Sequence, residues 1–173
     1  MISFKSLVLA IIFALHKPFG YVSIAEYIPR RYGQHVLQAF RRTEHLVRKI
    51  EITKAHIQFL STCQHHGLTP KFLCFKHYNK RHIGLEHTRK FQDSLLNNEI
   101  KQHTKRLEEL QDQHDLANQQ LASLITASDF DFLLDVTLST AHRVQQDCKL
   151  KHERNLRTLA MIQKLLLHLN QMM

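Results

Sequence analysis

Apolar side chains recur three and four residues apart over three long stretches of the chain, a spacing typical of helices that bury one face. The first stretch predicts a helix from Gln34 to about His65. Its apolar stripe consists of Val36, Phe40, Val47, Ile50 and Ile57. Gly67 and Pro70 end this helix, because glycine favours the turn after a helix and proline prevents its continuation.

The second stretch, from about Glu86 to Thr126, carries a heptad seam. The seam residues are Leu96, Ile100, His103, Leu107, Leu110, His114, Ala117, Leu121 and Leu124. We interpret the two histidines as polar interruptions that set the register of the pairing. One stripe cannot bury itself, so this helix must pack lengthwise against another.

The third stretch predicts a helix from Phe130 to about Asn170, with an N-cap at Ser128-Asp129. Its apolar residues are Phe132, Leu133, Val136, Val144, Leu150, Leu156, Leu159, Leu166 and Leu169. The short break before this helix favours antiparallel pairing with the second helix of the same chain. An intermolecular coiled coil through the same seam remains the alternative.

Composition supports an all-α fold. Four Gly and three Pro among 173 residues are too few for the frequent turns of an all-β domain, and they leave no glycine-rich phosphate loop. We predict an elongated antiparallel helical bundle or coiled coil of about three main helices, with a short connector of basic and aromatic residues after Pro70. Residues 34–170 form this helical coiled-coil domain.

Residues 1–33 form a separate apolar N-terminal segment. Pro18, Gly20, Pro29 and Gly33 interrupt it, so we expect regular structure to begin only after Gly33. An apolar run from Ser6 to Leu15 follows Lys5, and it is too short to span a bilayer. Two interpretations stay open: a signal peptide cleaved after Ala25, or a leader fused to the helical domain. Three cysteines do not make a disulfide framework and favour a nuclear or cytoplasmic location. A cleaved signal peptide would instead mean secretion.

The net charge of +9 is concentrated in one segment. Residues 30–101 carry fourteen Lys and Arg against five acidic side chains, and such a block attracts polyanions. The alternative is a solvated basic face without a dedicated partner. Cations neutralise phosphates and an exposed tyrosine ring stacks on a base. The candidate nucleic-acid-binding residues are Arg41, Arg42, Arg48, Lys49, Lys71, Lys76, Tyr78, Lys80, Arg81, Arg89 and Lys90.

The sequence supports a metal site or a catalytic site less well than it supports a basic binding surface. Cys63, His66, Cys74 and His77 have the residue types of a zinc site, but the cysteines lie among aromatic and aliphatic residues and fit a core equally well. Asp129, Asp131 and Asp135 do not make a paired-carboxylate site, because residues two apart on a helix point apart. No hydrolase or phosphate-loop motif is present. We therefore expect a non-enzymatic protein without metal or cofactor.

A motif around the first helix end resembles a helical region upstream of the reverse transcriptase in Penelope-like retroelement polyproteins. The matching residues are Phe59, Leu60, Cys63, Leu68, Pro70, Lys71, Phe72, Phe75 and Lys76. The similarity extends over roughly residues 34–160. It implies a nucleic-acid-handling accessory region, and the Tyr-x-Asp-Asp turn of a reverse transcriptase is missing from this sequence.

We therefore expect a non-catalytic region that binds RNA or DNA without sequence specificity. Self-association through the coiled coil is the alternative to pairing of the helices within one chain. The alternative is a secreted or membrane-associated helical protein-interaction module. In that case residues 6–15 would contact the membrane, and the basic block would meet anionic lipid or an acidic partner.

Overall fold

The computed structural model describes residues 24–68, Pro70 and residues 85–172, and every regular element within these residues is an α-helix. The helices are α1 (Ile24–Tyr32), α2 (Gln34–His65), α3 (Leu85–Leu124) and α4 (Ala127–Met172). The predicted all-α class is confirmed. The predicted connector after Pro70 lies outside the described residues, and so does the apolar run of the N-terminal segment.

Two glycines in the left-handed conformation set the boundaries of α2. Gly33 has φ 95° and ends α1, and its N–H donates to the carbonyl of Pro29 at 3.0 Å. Gly67 has φ 60°, and the N–H of Leu68 reaches back to the carbonyl of Cys63 at 2.8 Å. This is the Schellman arrangement, in which a positive φ lets the last helical carbonyls find donors. The predicted bounds of α2 are thereby confirmed.

Helix α1 was not expected, because Pro29 and Gly33 predicted irregular structure before residue 34. The structure shows a nine-residue helix that contains Pro29 and buries Ile28, whose exposed fraction is 2%. Ile28 packs with Val36 and Leu133 in one cluster. Burial of this apolar face outweighs the helix-breaking tendency of the proline.

Helix α4 begins three residues earlier than predicted. The carbonyl of Thr126 accepts hydrogen bonds from the N–H groups of Asp129 and Phe130, at 3.1 and 2.9 Å. The N-cap is therefore Thr126, and the cap predicted at Ser128-Asp129 is wrong. Threonine serves as an N-cap almost as well as serine or aspartate, so the two sites could not be distinguished from residue type alone.

The chain divides into two compact units. Unit 1 includes residues 24–49 and 110–143, and therefore α1, the first half of α2, the end of α3 and the start of α4. Its core is a cluster in which all four helices meet. The buried members are Ile28, Val36, Leu37, Phe40, Leu121 and Leu133.

Unit 2 includes residues 50–68, 85–109 and 144–172, and it is built from the remaining parts of α2, α3 and α4. Its buried cluster consists of Phe59, Leu60, Cys63, Leu68 and Leu96, with Ile100, Leu156 and Leu159 packed against it. Gln64 donates to Asn97 at 2.9 Å, and His56 contacts His103 further back along α2. Helices α2 and α3 are therefore antiparallel within this unit.

The predicted apolar stripes are buried only in part. Leu96, Leu110, Ala117 and Leu121 of the α3 seam are buried, but Leu124 at its end is 43% exposed. Leu150 of the predicted α4 set is 54% exposed and does not belong to the core. Among the described helices, none is long and apolar enough to cross a membrane.

Candidate nucleic-acid interface

One face of α2 packs against other helices, and the side chains on the opposite face are therefore exposed to solvent. Leu46 and Ile50 are buried, and so is Thr43, whose hydroxyl donates to the carbonyl of Ala39 at 3.2 Å. That local hydrogen bond satisfies the hydroxyl inside the core. With 3.6 residues per turn, positions 41, 42, 48 and 49 fall on one side of α2, away from these buried residues, and form its outer face.

The outer face carries four of the predicted cations. Arg41, Arg42, Arg48 and Lys49 are all exposed. They lie within nine consecutive residues, which span about 12 Å of helix at 1.5 Å per residue. These four candidate residues therefore share one accessible surface of α2.

Arg48 is held in place by a neighbouring carboxylate. The guanidinium of Arg48 lies 2.9 Å from the carboxylate of Glu44, and the Thr140 hydroxyl donates to the same carboxylate at 3.3 Å. Arg41 and Arg42 form no ion pair with any described residue. Their charges therefore remain available to an anionic partner.

The other predicted residues are not placed by the structure. Lys71, Lys76, Tyr78, Lys80 and Arg81 lie outside the described residues. Arg89 and Lys90 lie in the second turn of α3, where the structure describes the backbone alone. The candidate interface described here therefore consists of the four α2 cations.

Two exposed arginines of α1 were missed, because the sequence around Pro29 predicted no regular structure. Arg30 and Arg31 are both exposed in the last turn of α1. Arg31 donates to the Tyr27 hydroxyl at 2.7 Å, and its guanidinium lies 3.3 Å from the Asp129 carboxylate. The hydrogen bond from Arg31 to Tyr27 raises the arginine pKa, and the charge of Asp129 adds to this effect. Arg31 is thus engaged within the protein.

Asp129 is a buried anchor. Its carboxylate accepts hydrogen bonds from the hydroxyl of Tyr32 and, at 2.8 Å, from the hydroxyl of Thr126. Asp129 is 4% exposed, whereas Asp131 and Asp135 are exposed. These three carboxylates therefore do not form a common site, and Asp129 connects α1 to the turn before α4.

The candidate zinc residues separate into different environments. Cys63 has no exposed surface and lies in the unit 2 cluster, where burial raises the pKa of its thiol to about 11. His66 is exposed beyond the end of α2. Cys74 and His77 lie outside the described residues. Within the part of the chain that the structure describes, no group of three or more His, Cys, Asp or Glu residues could hold a metal ion.

The motif that resembles the retroelement region lies partly in the core of unit 2. Phe59, Leu60, Cys63, Leu68 and Pro70 are all buried, so these positions pack against other helices or form the turn after α2. The last four positions of the motif, from Lys71 to Lys76, lie outside the described residues. No protein-family model, curated protein or solved structure matches this chain.

Proposed function

We propose that this protein is a non-catalytic module that binds RNA or DNA without sequence specificity through the outer face of α2. The observation that carries the proposal is the group of four exposed cations on two turns of one helix. A duplex carries one negative charge per ~1.7 Å of its axis. A length of about 12 Å, equal to the part of α2 that carries the four cations, therefore holds about seven phosphate charges. Contacts to phosphates position a protein on nucleic acid without reading its sequence.

The size of the electrostatic effect follows from counterion release. If all four cations contact phosphates, the logarithm of the affinity falls with the logarithm of salt concentration with a slope of about −3.6. Duplex affinity then drops about 150-fold between 50 and 200 mM salt. With about six phosphate contacts over the whole basic segment, the drop is about a thousandfold.

Salt titrations of a labelled duplex and a labelled single strand test this surface. We expect the variant Arg41→Gln/Arg42→Gln/Arg48→Gln/Lys49→Gln to bind more weakly and to lose most of the salt dependence. The matched control removes the same number of exposed cations from α4. It carries Lys149→Gln, Lys151→Gln, Arg154→Gln and Arg157→Gln.

The control should keep its affinity within a few-fold of the unaltered chain, because its four residues lie on a different helix. Equal weakening of both variants would show that only net charge matters and would remove α2 as the interface. No measurable binding at 50 mM salt would contradict nucleic-acid binding altogether.

We infer in addition that three main helices pair as an antiparallel coiled coil. Support comes from α2, whose inward positions alternate three and four residues apart at Thr43, Leu46, Ile50, Thr53 and Ile57. Leu110, in the middle of the α3 seam, is 7% exposed within a single chain. We therefore expect a monomer at micromolar concentration, with a melting temperature independent of protein concentration. A melting temperature that rises with concentration would indicate that the seam pairs two chains.

The resemblance to Penelope-like polyproteins favours a role as an accessory region that handles nucleic acid in the nucleus or cytoplasm. It agrees with the basic face of α2, since an accessory region needs affinity for the nucleic acid rather than chemistry. Sequencing of nucleic acid recovered with the purified protein tests this role. Recovery of protein partners without nucleic acid would favour the interaction module instead.

A further inference from the structure

Three histidines from three different helices meet in unit 2. The ring of His56 on α2 stands edge-on to the ring of His103 on α3, with 4.6 Å between ring centroids. Phe59, one turn after His56, stacks on His152 of α4 at 4.8 Å between ring centroids. Phe59 is 7% exposed and belongs to the buried cluster of this unit. The histidines therefore lie where the three helices pack together.

Charged side chains of α3 and α4 act on these rings. From α3, the carboxylate of Glu99 lies 3.8 Å from the His103 ring and also acts on His56. From α4, the positive charge of Lys151 disfavours a positive charge on the ring of His152. If the rings of His56 and His152 gain protons, their positive charges repel each other and that of Lys151, and the carboxylate of Glu99 opposes this effect at His56.

The direction of the pKa shifts agrees with this geometry. Burial lowers the pKa of His56, the charges of His103 and His152 lower it further, and Glu99 opposes them. Burial also lowers the pKa of His152, with a smaller effect from Lys151. Both rings therefore stay neutral in the folded unit at a pH where unfolded histidine, with a pKa of about 6.5, binds a proton. The stability they permit is complete above pH ~6.5 and falls as the pH drops below it.

We propose that His56 and His152, at the ring contacts of α2 with α3 and α4, form an acid-sensitive joint, whose protonation loosens the three helices of unit 2 at mildly acidic pH while unit 1 stays folded. Each histidine that is protonated only in the open state raises the opening equilibrium constant by up to about tenfold per pH unit. His56 and His152 together give up to about a hundredfold per pH unit below ~6.5.

Hydrogen exchange of the full chain at pH 7.5 and 5.5, corrected for the intrinsic exchange rate, tests where this loosening occurs. We expect residues 50–65, 93–109 and 144–160 to lose protection at pH 5.5, whereas residues 110–143 keep theirs. Equal loss of protection in both units would overturn the proposal, and so would unchanged protection of unit 2.

A variant pair tests which residues are responsible. His56→Gln/His152→Gln should remove most of the pH dependence of urea unfolding between pH 7.5 and 5.5. His45→Gln, at an exposed position of the same helix in unit 1, should retain it. The same pH dependence in the double variant and the unaltered chain would contradict the assignment.

A measurement on the unaltered chain does not depend on the folding of any variant. Nuclear magnetic resonance titration of the fourteen histidines should show two rings with midpoints below 6.5. If every ring titrates at the ordinary value, the joint does not exist.

Discussion

Replacement of Leu60 by alanine should lower the free energy of unfolding by about 2–5 kcal/mol. Leu60 has no exposed surface and lies in the unit 2 cluster with Phe59, Cys63 and Leu96. Truncation removes buried methyl groups and leaves a cavity between packed helices, which can close only in part. Urea unfolding followed by circular dichroism gives the difference directly.

Leu150→Ala is the matched control, because it makes the same change in the same unit at a side chain that is 54% exposed. We expect its free energy of unfolding to stay within about 0.5 kcal/mol of the unaltered chain. Similar losses for both variants would mean that Leu60 is not buried in the folded protein.

Asp129→Ala should lower the free energy of unfolding by about 3 kcal/mol, since each hydrogen bond to a charged group contributes about 1.5–3 kcal/mol. The carboxylate accepts from Tyr32 and Thr126 and lies beside Arg31. Its loss leaves the hydroxyls of Tyr32 and Thr126 without their acceptor, and it removes a contact between α1 and the turn before α4. Thermal and urea unfolding measure the change.

Asp131→Ala controls for the loss of a negative charge near the start of α4, where it interacts favourably with the helix dipole. Asp131 is exposed, so its variant should change stability by no more than about 0.5 kcal/mol. A double-mutant cycle that combines Asp129→Ala with Tyr32→Phe should give a coupling free energy of about 0.5–3 kcal/mol. Additive effects of the two substitutions would show that the hydroxyl and the carboxylate do not interact.

Much of the fold follows from local signals that the sequence carries in plain form. The first and last residues of α2 were predicted correctly, because Gly33 and Gly67 both adopt the positive φ that glycine alone adopts freely. The long uninterrupted periodicity likewise predicted α3 to within two residues of its observed bounds, Leu85–Leu124. Signals of this kind depend on neighbours in sequence and survive without knowledge of the tertiary structure.

The errors arose where distant residues decide the outcome. Helix α1 forms across Pro29 because Ile28 is buried against Val36 and Leu133, a contact that spans more than 100 residues. The predicted stripe on α2 was incomplete. It left out buried leucines such as Leu46 and Leu60, and also Thr43 and Thr53, although threonine is more often exposed than buried. The hydroxyls of Thr43 and Thr53 are accommodated inside the protein, and the periodicity of apolar residues does not indicate that these two positions are buried.

The candidate site shows the same division. Exposure of Arg41 and Arg42 followed from the helical period, which places them opposite the buried residues of α2. The histidine group did not follow from any pattern. His103 was interpreted as an interruption of the seam, and nothing in the spacing indicated that His56 and His152 join it. Their meeting depends on the register between helices, which one sequence does not reveal.

The reactivity of the buried Cys63 thiol reports when the helices of unit 2 separate. With a pKa of about 11 and no exposed surface, this thiol is neither ionised nor reachable at neutral pH while unit 2 is closed. A thiol reagent modifies it only in the moments when the surrounding helices separate. The rate of modification at Cys63, located by peptide mapping, therefore measures how often those helices separate and needs no engineered residue.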